Sequence, residues 1–191
     1  MVRISKAPEV RKQEILETAM KLFYIKGYEK TSMADIAKEM DVVPGLCYRY
    51  FKSKQDLFDT SMNQYVEECS QKFLEVIRDD KKTLEQRIDY MANLMETQEE
   101  NSRYHNFYHK NGNEDLHQQL MIKIAKYLTP IVSEELKKIS LKGEVQVENI
   151  EMVVNFIMYG QIGILSCVGI SMKEKVKEIR KYIDLLLLSK L

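Results

Sequence analysis

The sequence predicts an all-α protein in which a small N-terminal head of three helices precedes a larger C-terminal helical domain. Only 7 glycines and 3 prolines occur among 191 residues, whereas 45% of the chain is hydrophobic and 30% is charged. So few turn-forming residues, in a chain rich in leucine, lysine, glutamate and methionine, are typical of helical proteins. Apolar residues recur at helical spacing almost throughout, and no segment alternates with the period of two that a half-buried strand requires.

The first predicted helix spans residues 9–26. Its apolar residues fall on one face, where they form a stripe suited to a core: Ile15, Leu16, Ala19, Leu22 and Phe23. Gly27 follows directly, and glycine readily adopts the left-handed conformation that ends many helices. We therefore expect a supporting helix that stops at Gly27.

Residues 31–51 predict a helix, a tight turn and a second, short helix. Ser32 and Asp35 have the spacing of a capping box. The buried face of the first of these helices is predicted to comprise Met33, Ile36, Ala37 and Met40. Residues 41–43 supply the turn, and Pro44 suits the first position of the second helix, where its missing N–H costs nothing.

The rest of the chain predicts longer helices, over residues 55–78, 82–100, 103–111, 114–139, 147–171 and 173–190. Turn-forming or polar stretches interrupt them at residues 79–82, 101–102, 111–113 and 140–144. We place the functional boundary between a head of residues 1–54 and a body of residues 55–191. This boundary lies within a nearly continuous helical run and not at a flexible linker.

The charge of the chain is zero overall but unevenly distributed. Residues 1–54 contain eleven lysines and arginines against seven aspartates and glutamates, a net charge of +4 that the remainder balances. A basic head on an acidic body favours a polyanionic partner.

Cysteine usage and the start of the chain favour a cytoplasmic protein. Cys47, Cys69 and Cys167 are isolated from one another and lack metal-ligand spacing. The first residues, MVRISKAPEVRK, contain no apolar signal segment. Both features are typical of a reducing compartment.

Residues 152–172 carry no charged side chain over a length that could cross a bilayer. Polar residues interrupt this segment at Asn155, Gln161, Ser166 and Ser171. A buried interface helix is therefore favoured over a membrane span.

The second helix of the 31–51 unit has two different faces. Cys47 and Phe51 are four residues apart and are expected to pack inward. Tyr48 and Arg49 lie on other faces and could point outward. Tyr50 offers a hydroxyl group, and Lys52 and Lys54 offer ammonium groups, all of which suit phosphate oxygens. An aromatic core cluster is the alternative interpretation of these residues.

Residues 11–58 resemble the TetR family of bacterial transcriptional regulators. The most characteristic parts are ILETAMKLF, KGYEKTSMADIAKEM and YRYFKSKQDLF. The remaining two thirds match only in length and helical character. The resemblance implies a helix-turn-helix DNA-binding domain joined to a domain that dimerises and binds an effector.

The resemblance also implies roles for individual residues. Thr31 or Ser32 occupies the position that contacts a backbone phosphate at the start of the first motif helix. Tyr48 and Tyr50 match positions that touch phosphates or base edges, and Lys54 matches a phosphate-binding lysine.

Two departures from the family pattern affect the turn and the cap. Asp41 replaces the usual turn glycine, and aspartate tolerates left-handed geometry better than most residues. Val43 replaces the usual polar N-cap, so this cap is expected to be weaker.

The leading end of the predicted recognition helix, Pro44-Gly45-Leu46, contains no side chain that can hydrogen-bond a base. Pro44 and Leu46 can touch thymine methyl groups, and Gly45 permits close approach of the backbone. Arg49 is the main candidate for reading guanine. We therefore predict an operator recognised mainly through DNA shape and methyl contacts.

The C-terminal region predicts a dimer interface. Small residues that allow close helix packing recur at Gly160, Gly163, Cys167 and Ser171, and the last helix adds Ile179, Ile183, Leu186 and Leu187. Two such helices per chain suit a four-helix interface with a second copy. An intrachain core built from the same stripes is the alternative.

An effector pocket is predicted from amphipathic and polarisable side chains of the body. The candidates are Met91, Met95, Tyr104, His105, Phe107, Tyr108, His109, Met121, Tyr127, Asn155 and Tyr159. His105 and His109 are four residues apart and could form a metal pair or a polar handle, although an exposed or hydrogen-bonded pair is favoured. Ordinary core packing is the alternative for the others, and no metal or cofactor is expected.

No phosphate loop, nucleophile elbow or zinc-hydrolase motif occurs, so we do not expect an enzyme. The sequence predicts a ligand-responsive repressor that binds a palindromic operator as a homodimer. Its expected partners are double-stranded DNA, a second copy of the chain and an apolar or amphipathic small molecule, with no membrane. The alternative is an architectural or protein-partnered DNA-binding regulator without an effector.

Overall fold

The computed structural model describes residues 6–97, 104–108, 110 and 112–188, and all the regular structure in these residues is helical. The helices are α1 (Pro8–Lys26), α2 (Met33–Glu39), α3 (Pro44–Tyr50), α4 (Lys54–Ile77), α5 (Leu84–Thr97), α6 (His105–Tyr108), α7 (Glu114–Leu141), α8 (Ile150–Leu165) and α9 (Met172–Leu187). The predicted all-α class is confirmed. Some predicted features lie outside the described residues. They are the helix termini predicted at residues 100 and 190, the break predicted at residues 101–102, and His109.

The chain forms two compact units. Unit 1 comprises Met1–Tyr65 with Arg103–Glu114, and unit 2 comprises Val66–Ser102 with Asp115–Leu191. The division between the compact units falls inside α4, because the first part of α4 and the short α6 pack with the N-terminal helices.

Helix α1 has the buried stripe that its sequence predicts. Ile15, Leu16 and Ala19 are fully buried, and Phe23 is 1% exposed. Gly27 ends the helix with φ of 89°, and its N–H donates to the carbonyl of Phe23 at 2.9 Å. The helix thus ends at Gly27 as predicted and with a positive φ, although a ψ of 152° differs from the left-handed helical conformation.

Helices α2 and α3 form the predicted helix-turn-helix and pack against each other. Ser32 caps α2 through the predicted capping box with Asp35. Asp41 has φ of 54°, as expected for a residue in the place of a turn glycine. Val43 precedes α3 without a side-chain cap, and Pro44 occupies the first turn. Each local signal in residues 31–51 therefore produces the predicted backbone.

An aromatic cluster fills the rest of unit 1. The ring of Phe23 lies 5.1 Å from that of Tyr28 and 6.0 Å from that of Phe58, and the rings of Tyr65 and Tyr108 stack at 5.0 Å. Helix α6 contributes Phe107 and Tyr108 to this cluster and packs against α1. These rings add to the buried apolar residues that α1, α2 and α3 already contribute to the head.

Unit 2 has a separate aliphatic core. It is built from the second part of α4 with α5, α7, α8 and α9, and its buried members are Leu84, Ile88, Ala125, Leu128, Leu136, Ile139, Val145, Val154, Met158 and Leu187. Helix α9 packs against both α5 and α8. The guanidinium of Arg180 on α9 pairs with Asp89 on α5 and with Asp184 one turn along α9.

A buried arginine joins the end of α4 to the start of α5. Arg87 is 4% exposed, and its guanidinium donates to the carbonyl of Ile77 at 2.7 Å and to that of Lys82 at 3.0 Å. A cation is favourable beside Ile77, the last residue of α4, because carbonyls at the C-terminus of a helix lack helical partners and carry partial negative charge.

The prediction of one helix over residues 147–171 is wrong at both ends. Asn149 is the N-cap of α8, and the helix ends at Leu165 with Ser166 as the C-cap. Gly169 takes φ of 79°, and Ser171 forms a capping box with Glu174 that starts α9. Cys167 and Ser171 therefore lie in a connecting loop and do not extend the small-residue face of α8. Across the described residues, no helix has both the length and the apolar character that crossing a membrane requires.

Candidate DNA-binding site

Helix α3 is held to the head by one face and leaves the other open. Cys47 is completely buried and Phe51 is 1% exposed, whereas Tyr48 is 55% exposed and Arg49 is also exposed. Burial raises the pKa of the Cys47 thiol, so this side chain is neutral and serves as a small apolar anchor. The open face carries an aromatic hydroxyl and a guanidinium, groups that suit phosphates and base edges.

The leading end of α3 is apolar and exposed. Val43 is 71% exposed, Pro44 and Gly45 are exposed, and Leu46 is half-buried. A Cβ placed on Gly45 would meet no atom within 4 Å, and its φ is not positive. Nothing in the fold of the chain therefore requires glycine at this position, although glycine weakens a helix relative to alanine.

The structure separates the two candidates for a phosphate contact at the start of α2. Thr31 is 2% exposed, and its hydroxyl donates to the carbonyl of Gly27 at 2.8 Å. Ser32 is exposed and accepts from the N–H of Asp35. Hydrogen bonds from Ser32, chiefly from its side chain, lower the pKa of Asp35. Ser32 thus has the accessible hydroxyl, and Thr31 completes the turn beneath it.

The cationic and hydroxyl candidates near α3 also differ in their surroundings. Lys52 is exposed, and its side chain makes no hydrogen bond or ion pair with the described residues. Tyr50 is half-buried at the end of α3. The ammonium of Lys54, by contrast, donates to the carbonyl of Tyr28 at 2.8 Å and lies 4.2 Å from the centre of the Tyr28 ring.

The candidate effector residues are distributed over both units. In unit 1, Tyr104, Phe107 and Tyr108 are buried, and burial raises the pKa of Tyr108. In unit 2, the half-buried candidates are Met91, Met95 and Met121, and the exposed ones are Tyr127, Asn155 and Tyr159. Asn155 and Tyr159 lie on the exposed side of α8, away from the core of unit 2.

The histidine and cysteine candidates do not converge in the part of the chain that is described. His105 is half-buried on α6, and no group of three potential metal-ligating side chains occurs among the described residues. Burial raises the pKa of Cys69 to about 11. The thiol of Cys69 is therefore protonated and inert at neutral pH.

The predicted dimer residues occupy different environments. Gly160, Gly163, Cys167 and Ser171 are exposed, Ile183 and Leu186 are half-buried, and Ile179 and Leu187 belong to the interior of unit 2. An open apolar groove of about 170 Å³ runs between α8 and α9, lined in part by Gly160, Ile183 and Leu186.

Four large, exposed apolar side chains on α8 and α9 were not predicted from the sequence, and two of them, Phe156 and Tyr182, line this groove. Met152 is 68% exposed, Phe156 67%, Tyr182 47% and Leu185 57%. Val154 and Met158 take the core side of α8. Because α8 is apolar on nearly every face, its periodicity did not show which side would remain open.

Comparison with known proteins agrees with this architecture. Residues 15–60 match the family described as bacterial regulatory proteins, tetR family. YuxN of Bacillus subtilis, an uncharacterized HTH-type transcriptional regulator, is 42% identical over 62 residues, which are 32% of this chain and 21% of YuxN. The matched part is therefore only about a fifth of that relative.

Solved structures extend the similarity to the whole fold. A regulator of the TetR/AcrR family from Thermobifida fusca superposes with a TM-score of 0.58 at 21% identity, covering 91% of this chain and 96% of that one. A protein from Saccharomonospora viridis, solved in complex with choline, superposes with a TM-score of 0.59 at 15% identity over 95% and 98% of the two chains.

The arrangement of α1 to α3 defines a helix-turn-helix protein. Residues 15–60, which contain this helix-turn-helix, match the model of the tetR family of bacterial regulatory proteins. The relatives that match this part of the chain include HTH-type transcriptional regulators.

Proposed function

We propose that this chain is a transcriptional repressor that binds a palindromic operator as a homodimer and is released from DNA by an apolar or amphipathic small molecule. The observation that carries the proposal is the orientation of α3. Its anchors Cys47 and Phe51 are buried, while Tyr48 and Arg49 are exposed on one accessible surface. A helix presented in this way can enter the major groove while the preceding helix braces it.

Phosphate and base contacts are assigned to different parts of this surface. Ser32, Tyr48, Tyr50 and Lys52 supply hydroxyl and ammonium groups for the phosphates, which fix the register of the protein on the duplex. Arg49 is the side chain that can donate two hydrogen bonds to guanine.

The leading end of α3 reads the operator differently. Val43 and Pro44 expose apolar surface, and Gly45 exposes backbone. Such a surface can contact thymine methyl groups and respond to groove shape, but it offers no side-chain donor to a base. The operator is therefore expected to have few positions fixed as G·C in each half-site.

The second copy is assigned to the α8–α9 face of unit 2. Phe156 and Tyr182 line the apolar groove between these helices, and Met152 and Leu185 are further exposed apolar side chains of α8 and α9. A two-fold interface requires a self-complementary surface, and this face has apolar projections beside an apolar recess. A contiguous exposed apolar surface of this kind is typical of an interface.

The effector is the least constrained part of the proposal. Half-buried methionines in unit 2 provide adaptable apolar surface, and one protein of similar fold was solved with choline bound. In the proposed mechanism the effector stabilises a conformation whose two recognition helices no longer match successive major grooves, which are roughly 34–36 Å apart. It thereby shifts a two-state population away from DNA binding.

Selection of duplexes from a random library by the wild-type chain, followed by titration across salt concentrations, tests this function. We expect a palindrome, and an affinity for it that falls steeply with salt because bound phosphates release counterions. Light scattering should show a dimer at micromolar concentration. Specific DNA binding that no small molecule weakens would instead favour an architectural or protein-partnered regulator, and failure to bind duplex DNA would refute the function.

A further inference from the structure

Lys54 is the first residue of α4 and lies two residues after the exposed Lys52, yet the two ammonium groups are in different environments. The ammonium of Lys54 donates to the carbonyl of Tyr28 at 2.8 Å and to that of Glu29 at 3.5 Å. It also lies 4.2 Å from the centre of the Tyr28 ring. Two of its three N–H groups are thus directed into the head.

The partner of this lysine is the turn that leads into α2. The carbonyl of Tyr28 also accepts the N–H of Thr31, the residue before the Ser32 cap. On its other side, the hydroxyl of Tyr28 donates to the side chain of Gln55 at 2.8 Å. Two consecutive residues at the start of α4 therefore hold one residue of the turn.

The recognition helix lies between the two elements that are joined in this way. The chain passes from the turn at Tyr28 through α2 and α3, and then directly into α4 at Lys54. The contacts between the start of α4 and the turn before α2 fix both ends of the segment that contains α2 and α3. The orientation of α3 relative to the rest of the head therefore depends on contacts in which α3 itself takes no part.

We propose that Lys54 is a positioning residue, which orients α3 through the turn at Tyr28, and that it is not a phosphate contact. This assignment rests on the proposed DNA-binding function. Its charge is used by backbone carbonyls and an aromatic face inside unit 1, whereas Lys52 is the lysine available to DNA. Replacing Lys54 should tilt α3 without removing an ionic contact with the duplex.

Salt dependence separates the two roles. The wild-type chain, Lys54→Met and the matched control Lys52→Met are titrated with the duplex selected by the wild-type chain, well below the melting temperature of each protein. Lys52→Met should weaken binding and reduce the slope of log affinity against log salt by about 0.9, the value for one lost phosphate contact. Lys54→Met should weaken binding about tenfold while the slope stays that of the wild type.

A second variant covers the case in which Lys54→Met does not fold. Lys54→Gln keeps an N–H donor for the turn carbonyls but has no charge, so positioning predicts an affinity between those of the wild type and Lys54→Met, at the wild-type slope. A slope reduced in either Lys54 variant as in Lys52→Met would identify a phosphate contact and overturn the inference. Wild-type affinity in folded Lys54→Met would mean a purely structural role and would also overturn it.

Failure of the proposed function gives a separate result. In that case the wild-type chain itself would show no salt-dependent binding to duplex DNA, and both proposals would fall together. The Lys54 variants decide the positioning role only when the wild type binds.

Discussion

Gly45 gives the sharpest test of the surface assigned to DNA, because the fold and the proposed contact make opposite demands on it. The residue lies in the first turn of α3, is exposed, and has open space where a Cβ would stand. Its φ is not positive, so alanine can adopt the same backbone conformation. Gly45→Ala should therefore stabilise the free protein by about 0.5–1 kcal/mol, which corresponds to a rise in Tm of about 1–4 °C for a chain of this size.

The same methyl group should weaken specific DNA binding, since it would occupy the gap through which the backbone approaches the bases. A misfit at one base-contacting position costs roughly 1–3 kcal/mol. Affinity for non-specific duplex is the internal control, because phosphate contacts dominate it and the substitution leaves them in place. Calorimetry or circular dichroism gives Tm, and fluorescence anisotropy gives both affinities.

The reasoning is refuted by a Gly45→Ala protein that is more stable and binds the selected operator as tightly as the wild type. In that event the leading end of α3 does not approach the bases closely. Equal losses on the selected and non-specific duplexes would instead show that the substitution disturbs the phosphate contacts.

Three further predictions concern the interface, the buried arginine and the capping box of α2. Phe156→Asp should make the chain monomeric by light scattering, because it places a charge on the apolar face assigned to the second copy; a Phe156→Asp dimer would contradict the assigned face. Arg87→Met leaves two carbonyls without a donor and should lower the free energy of unfolding by about 2–4 kcal/mol in urea titrations, while the exposed Arg78→Met should change it by less than about 0.5 kcal/mol. Hydrogen bonds of the cap lower the pKa of Asp35 from its usual 3.8, so its stabilisation is complete above that pH and is lost as the pH falls through the lowered value. The Tm of wild type should therefore exceed that of Asp35→Asn at pH 7 and approach it below pH 3.8, and a difference that does not change with pH would argue against the cap.

The head could be predicted closely because its signals are local. The glycine that ends α1, the cap at Ser32, the turn at Asp41 and the proline that opens α3 each determine backbone within a few residues. The separation of α3 into buried anchors and an exposed face also follows from spacing, since Cys47 and Phe51 lie four residues apart.

Features that depend on distant neighbours could not be predicted in this way. The burial of Thr31 and the inward direction of Lys54 depend on carbonyls of the turn before α2, which no spacing rule places beside α4. In α8, Phe156 is exposed while Val154 is buried. Because this helix is apolar on nearly every side, only its packing against α9 and the rest of unit 2 determines which side is buried. The end of α8 at Leu165 was missed because no charged or strongly helix-breaking residue marks it.

The most direct measurement is a hydroxyl-radical footprint on the DNA upstream of the chain's own gene, made with the wild type and with Arg49→Ala. The proposal predicts two protected segments about one helical turn apart, roughly 34–36 Å between centres, from the wild type. With Arg49→Ala at the same concentration, this protection should be lost or much weaker. Identical footprints from the two proteins would contradict the account, because the exposed face of α3 would then not be the surface that meets DNA.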